Sequence, residues 1–339
     1  MMIVKRVLAF FLLLFCVFVL SGITFRTWGY SEEKKIGNQI STSVIDKNAA
    51  TNKTKVEVAE NNEENSKNPL RYTLHFILCV FFLAAVFYLI RKSRITSSVR
   101  KFLYLVSIII FGLGFNSSPS PMGPLKDTIS MFGNLPEIIH PRLFAILTYL
   151  GLVIIANKFI CSWVCQLGVL QDFIFRLNRN AKDNKGIIRQ FKVPFILSNS
   201  IRILFFVTIT VSSFLWAINL IDFINPFAIF HGIELQLPGW IFVGCILIMS
   251  IFIYRPWCNL FCPFGLLSWL FEKLSFYKIR VNYQTCDLCE ACVDSCPSEA
   301  MNAILKKKRT LPDCFSCGSC IKACHSASIR FGSHFHSIK

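Results

Sequence analysis

The chain has 339 residues, 54% of them hydrophobic, and a formal net charge of +17; its mean hydropathy is +0.53. That density of apolar sequence, gathered in long blocks, excludes an ordinary soluble domain. The positive charge needs no nucleic acid to explain it, because its alternation along the chain fits orientation in a membrane and attraction to anionic lipid.

Six apolar blocks run in chain order at roughly 3–25, 72–90, 102–116, 142–160, 203–221 and 239–254. Each comes near the ~20 residues a helix needs to cross a bilayer, and the third is short enough to be tilted, broken or partly re-entrant. Lys5 and Arg6 precede the first block. Arg91, Lys92, Arg94, Arg100 and Lys101 separate the second from the third, and Lys158, Arg176, Arg179, Lys182, Lys185, Arg189, Lys192 and Arg202 lie between the fourth and fifth. The stretches 26–71, 117–141 and 222–238 are nearly balanced. Cytoplasmic loops hold the Lys and Arg excess, so the pattern predicts six spans with both termini in the cytoplasm. The first block reads as an uncleaved anchor in preference to a signal peptide, since no small-x-small cleavage site precedes Phe25. Residues 26–71, polar and poor in aromatics, read as an extracytoplasmic linker. The expected division is an anchor at 1–25, the linker at 26–71, a second span at 72–94, membrane units at 95–177 and 178–277, and a small cytoplasmic domain at 278–339.

Fifteen cysteines punctuate this plan. Cys16, Cys79 and Cys245 lie inside spans, where a lone cysteine behaves as a small hydrophobe. The other twelve fall at or beyond the cytoplasmic face, where disulfides are rare and dense cysteine argues for metal. Residues 286–297 read CDLCEACVDSCP and residues 314–325 read CFSCGSCIKACH. Both follow the C-x2-C-x2-C-x3-C spacing of bacterial two-cluster ferredoxins, in which the fourth cysteine of each run ligates the other cluster. Cys286, Cys289, Cys292 and Cys324 are therefore expected to hold one [4Fe–4S] cluster, and Cys314, Cys317, Cys320 and Cys296 the second, in an α+β domain. His325 stands where a proline usually follows and is expected to be a solvent-facing turn residue. The connecting stretch KKKRTLPD (306–313) reads as a short hairpin turn whose Lys306, Lys307, Lys308 and Arg309 face solvent, lipid headgroups or an acidic partner.

Two further pairs, Cys161 with Cys165 and Cys258 with Cys262, end apolar blocks and lie in related surroundings. Gly168 matches Gly265, Leu170 matches Leu267 and Arg100 matches Arg202. A proline follows each of these arginines by 24 residues, at Pro124 and Pro226. Pro141 and Pro238 each precede the first cysteine of their pair by 20 residues. This is a duplicated two-span unit in one orientation, so its pseudo-twofold axis should lie along the membrane normal. Cysteines at i and i+4 share a helix face. Two such pairs meeting at the axis would form one four-thiol site for a soft metal or an iron–sulfur cluster. Redox dithiols and plain packing are the alternatives. His140 and His231 lie in equivalent outside loops, where an ordinary loop histidine is the plainer reading than a quinone or haem contact. His75 stands near the start of the second span with no second intramembrane histidine placed to pair with it.

Two parallel C-x3-C units, the second followed by Pro263, and a C-terminal two-cluster run resemble the membrane polyferredoxins of the NapH/NosR type over roughly 95–335. Gln166 departs from the proline usual after the first pair, and 1–94 carries no flavin-domain signature. The resemblance implies an inner-membrane electron-transfer protein of bacteria. It would work between the quinone pool, or a cytoplasmic donor, and a periplasmic or membrane redox partner. A cluster-driven reductase or assembly factor for a copper-type metal is the second reading, and a non-redox membrane anchor the third.

Overall fold

The computed structural model describes residues 69–114, 121–125, 128, 141–180, 183, 186–216, 225–231 and 237–333. The first apolar block, residues 26–68 of the linker, Cys16 and His140 lie outside them; the last three linker residues already belong to a helix. The chain divides into two units, Met1–Ala84 and Ala85–Lys339. The described part of the first is the N-terminal portion of helix α1 (Pro69–Arg91). There His75, Cys79 and Leu83, four apart, are buried along one stripe.

The second unit is mostly helical. Helix α2 (Ser97–Ser107) begins at Thr96, whose hydroxyl caps the Val99 amide, and runs on as a π-helical segment, Ile108–Gly114. Then come α3 (Pro141–Ala156), α4 (Phe159–Trp163) and α5 (Gln166–Leu177). The second repeat supplies α6 (Phe195–Trp216), the short α7 (Ala228–His231), α8 (Leu237–Phe252), a π-helical turn at Trp257–Phe261 and α9 (Pro263–Glu272).

Among the described residues, two helical stretches are long and apolar enough to cross a membrane, Ser97–Gly114 and Phe195–Ser212; Ile77–Arg91, Ala145–Ala156 and Leu237–Phe252 are shorter. Two helices begin earlier than the apolar blocks suggest. The blocks start after Arg100 and Arg202, but both arginines are buried inside their helices and bonded to neighbours, so the charge does not end the helix. The fourth block, read as 142–160, is helical only to Ala156, because Asn157 adopts a left-handed conformation there. Ile196, Leu197, Ile203, Leu204, Val207 and Val211 leave an exposed apolar face along α6.

The repeats interlock. Helix α5 packs on α2 of its own repeat and on α8 of the other; α9 packs on α6 of its own repeat and on α3 of the other. The last carbonyls of a helix lack intrahelical donors. Here the segment that follows α9 caps the end of α3, and the segment that follows α5 caps the end of α8. Phe276 N and Tyr277 N donate to Ile154 O and Ile155 O at 2.8 and 2.9 Å; Asn178 Nδ2 and Phe191 N donate to Ile251 O and Phe252 O at 3.1 and 2.9 Å.

The C-terminal domain closes with a two-stranded antiparallel sheet, β1 (Lys278–Val281) against β2 (Ile329–Gly332), around α10 (Ala291–Ser295), α11 (Ala300–Leu305) and α12 (Ser319–Ala323). The hairpin expected at 306–313 does not form. That stretch leaves α11 through a turn and runs on without pairing, because Asp313 at its end is drawn into the helical region by buried cations. Lys306, Lys307, Lys308 and Arg309 are exposed, and so is His325, in a turn.

Candidate functional site

The two C-x3-C segments are built alike. Cys165 and Cys262 each precede an amphipathic helix with nearly the same backbone, φ −60° and ψ 111° against φ −68° and ψ 113°. The amides of Leu167 and Gly168 point at the Cys165 sulfur, and those of Phe264 and Gly265 at Cys262. Helix N-termini favour anions, here thiolates. The glycines are required by close approach: a Cβ on Gly168 would lie 2.7 Å from Cys161 O, and one on Gly265 2.8 Å from Cys258 O. Gln166 takes the place of Pro263 for a local reason. Its Nε2 donates at 3.3 Å to Phe111 O, in the π-helical segment Ile108–Gly114, where the second repeat continues as the α-helix α6.

All four thiols, Cys161, Cys165, Cys258 and Cys262, are buried in one apolar cluster. Every pair among them is close enough for one sulfur's charge to disfavour the other's. Burial pushes each thiol up, Cys165 to about 11, so thiolates here need a cationic occupant or neighbour. Neighbouring cations are at hand. Arg255 donates to Cys161 O at 2.7 Å and to Ser162 O at 3.0 Å, while Lys158, its counterpart in the first repeat, donates to Gly265 O at 3.0 Å. Arg202 Nη1 reaches the same carbonyl at 3.0 Å.

Carboxylates balance these cations from different places. Asp172 Oδ2 accepts from Arg255 Nη2 at 2.6 Å and from the hydroxyls of Tyr104 and Tyr254, both at 2.9 Å; its Oδ1 accepts from Arg176 at 2.6 Å. For Lys158 and Arg202 the carboxylate is Asp313, from the C-terminal domain; it accepts from Arg202 Nη2 at 2.6 Å and pairs with Lys158 Nζ. Glu272 accepts from the Cys314 amide at 3.0 Å. Between the two regions lies Phe315. It belongs to the same apolar cluster as the four thiols, with the Arg255 guanidinium 4.8 Å from its ring centre and Tyr254 edge-on at 5.6 Å.

In the C-terminal domain the thiols of Cys286, Cys289 and Cys324 surround Cys292, which burial and these neighbours push up to about 11. Cys296, Cys314 and Cys317 surround Cys320 in the same way. A single cavity is lined by Cys296, Cys314, Cys317 and Cys320 together with Phe315, Ser316 and Ser319. Each set has one buried member, Cys292 and Cys320; the sets differ in that Cys289 of the first is exposed and no cysteine of the second is. Among the described residues, no three His, Cys, Asp or Glu side chains converge tightly enough to chelate one ion. A cubane cluster spreads its ligand sulfurs wider than a lone ion does. Donors without partners support an anionic occupant: Arg176 Nη2, Ser316 Oγ and Trp257 Nε1 are buried and unbonded.

The thiols were legible in the sequence. Lys158, Asp172, Arg255, Asp313 and Phe315 were not singled out, because Lys158 and Arg202 read as ordinary loop cations under the charge-asymmetry rule. Their repeat positions were the available signal: Lys158 and Arg255 each stand three residues before the first cysteine of a pair. His231 ends α7.

A profile described as a 4Fe-4S dicluster domain matches 278–325, and one described as a 4Fe-4S binding domain matches twice, at 140–183 and 235–282. The putative electron transport protein YccM of Escherichia coli is 26% identical over 204 residues, covering 58% of this chain and 57% of that protein. The ferredoxin-type protein NapH of Haemophilus influenzae is 28% identical over 193 residues, covering 54% and 64%. The methylamine utilization ferredoxin-type protein MauN of Paracoccus denitrificans is 25% identical over 175 residues, covering 50% and 58%. The chain thus spans about three fifths of these relatives. No solved structure matches it.

Proposed function

We propose, from the premise that this chain is a ferredoxin-type electron-transfer relative of the YccM, NapH and MauN proteins, that it is a multi-pass membrane electron carrier with three centres in series. Cys286, Cys289, Cys292 and Cys324 would hold an outer [4Fe–4S] cluster. Cys314, Cys317, Cys320 and Cys296 would hold an inner one. Cys161, Cys165, Cys258 and Cys262 would hold a further iron–sulfur or soft-metal centre at the cytoplasmic end of six spans. When bound, such clusters supply one-electron transfer without bond rearrangement.

The observation that carries the reading is the cavity lined by Cys296, Cys314, Cys317 and Cys320, with Phe315 joining its wall to the buried four-thiol cluster. The protein's own contribution is positional. Arg255 and Lys158 grip backbone carbonyls across the repeat boundary and fix both cysteine pairs, while Asp313 fastens the ferredoxin domain against the helices. The exposed Cys289 side is where a cytoplasmic donor would approach. The quinone pool or a periplasmic or membrane redox protein would exchange electrons at the other end.

Iron and acid-labile sulfide analysis of the full chain, purified anaerobically in detergent, tests this. The ferredoxin domain alone should contribute about eight of each, given its two cubane runs. Zinc in place of iron, with no paramagnetic signal after reduction, overturns the proposal.

A further inference from the structure

The two ferredoxin cysteine sets differ in the charges around them, although Lys192 donates to Val293 O in the outer run and Glu272 accepts from the Cys314 amide in the inner one. Residues 282–305, which carry most of the outer set, contain Asp287, Glu290, Asp294 and Glu299 and no Lys or Arg, in a chain of net charge +17. The inner set faces a wall of buried cations. Arg100, Arg176, Arg179 and Arg255 are all buried there, against the carboxylates of Asp172 and Asp183. Two positive charges remain in excess.

Arg176 makes the closest link. Its Nη1 donates to Ser319 Oγ at 3.2 Å, and that hydroxyl lies 3.5 Å from Cys317 Sγ. The hydroxyl has one proton to give, and Asp183 Oδ2, at 3.3 Å, competes with the sulfur for it. Arg176 Nη1 is also paired with Asp183, and its Nη2, fully buried, has no partner.

Three effects then compete at the inner site. Burial disfavours the more negative reduced cluster. Cations and hydrogen bonds to sulfur favour it. At Cys317 the geometry favours the second group: Arg176 reaches the sulfur through the Ser319 hydroxyl, and the buried cations beside it outnumber their carboxylates. A field that favours charge on that sulfur also favours the added electron.

We infer that Arg176, acting with Ser319, makes the inner cluster the electron-accepting member of the pair. An electron entering at the exposed outer cluster then comes to rest beside the membrane helices. This rests on the two-cluster reading above. In the step, the outer cluster loses one electron, the inner cluster gains it, and no bond or proton changes. Arg176 is a positioning and tuning residue and touches no substrate.

The test is a redox titration with dithionite of the full chain in detergent, followed by electron paramagnetic resonance. Wild type should show two one-electron components from the ferredoxin clusters, beside any signal from the four-thiol centre, which Cys258→Ser removes. Arg176→Gln should lower the higher one by at least tenfold in its reduction equilibrium, 59 mV for one electron, and leave the lower one in place. Arg176→Lys, which keeps the charge, should restore most of the shift. Ser319→Ala should move the same component the same way by less, and it decides the matter if Arg176→Gln fails to assemble. Variants that titrate like wild type, or that shift both components equally, overturn the inference alone. A wild-type chain with fewer than two clusters overturns the two-cluster reading and the inference with it.

Discussion

Arg255 Nη1 donates to the carbonyl oxygen of Cys161, 94 positions earlier in the chain, at 2.7 Å. One repeat thus holds the cysteine of the other by a charged hydrogen bond, and the same guanidinium is neutralised by Asp172 at 2.6 Å. Removing one member of a buried pair leaves the other charge uncompensated, which costs about 3–5 kcal/mol. Arg255→Gln is therefore expected to lower the thermal unfolding temperature in detergent sharply, whereas Arg189→Gln, at an exposed position, should leave it unchanged. Equal melting of the two variants would count against this account.

Gly168→Ala and Gly265→Ala should behave as twins. Each added methyl would meet a cysteine carbonyl of its own repeat at 2.7 or 2.8 Å. Overpacking of this kind costs about 1–3 kcal/mol, and here it also shifts the loop that carries the thiols. Gly151→Ala, which meets nothing within 4 Å, is the control and should be neutral or slightly stabilising. Denaturation of the three variants side by side checks the ordering.

Asp172 should confer a pH dependence that appears only in strong acid. Burial alone would raise its pKa, but Arg176 and Arg255 outweigh burial and hold the carboxyl well below the usual carboxylate range. A group with a depressed folded-state pKa stabilises fully above its unfolded value, and the contribution is lost as pH falls through the folded value. The stability gap between wild type and Asp172→Asn should stay constant from pH 7 down to about pH 5 and narrow only below the ordinary Asp range near 3.9. Unfolding curves at a series of pH values measure it; a gap that closes before pH 5 contradicts the assignment.

Single Cys→Ser changes at Cys161, Cys165, Cys258 and Cys262 should impair electron transfer to a similar degree, because the four sulfurs share one buried cluster. Rapid-mixing measurement of electron flow out of the reduced ferredoxin domain is the readout. Strongly unequal effects between the first pair and the second would separate them into independent dithiols.

Local patterns made much of this legible in the sequence. The ferredoxin spacing is written within twelve residues, and the repeat shows in matched prolines, glycines and cysteines. What stayed hidden depends on distant partners. A buried Lys158 and a solvated loop lysine are the same letter until Asp313, 155 positions away, closes on it. Arg100 and Arg202 seemed to end apolar blocks because a charge inside a span is costly. Their partners, Asp183, Asp313 and backbone carbonyls, lie elsewhere in the chain. The apolar patterning that marks out the blocks cannot register such pairing.

The sharing of Asp313 bears on how the molecule is made. Trp269 stands in the second repeat where Asp172 stands in the first, so that repeat lacks a carboxylate at this position; Trp269 donates to Leu311 O at 3.0 Å. Lys158 has Glu272 of α9 at 3.9 Å, but Arg202 must wait for Asp313, 111 positions later in the chain, in a polypeptide made at roughly 5–20 residues per second. Until the ferredoxin domain docks, Arg202 has backbone carbonyls but no carboxylate to pair with. Because Asp313 directly precedes Cys314, a proposed ligand of the inner cluster, the same docking ties cofactor insertion to completion of the bundle. On the proposed ligation, a chain that takes up no iron and so fails to dock this domain would leave the buried Arg202 without its carboxylate.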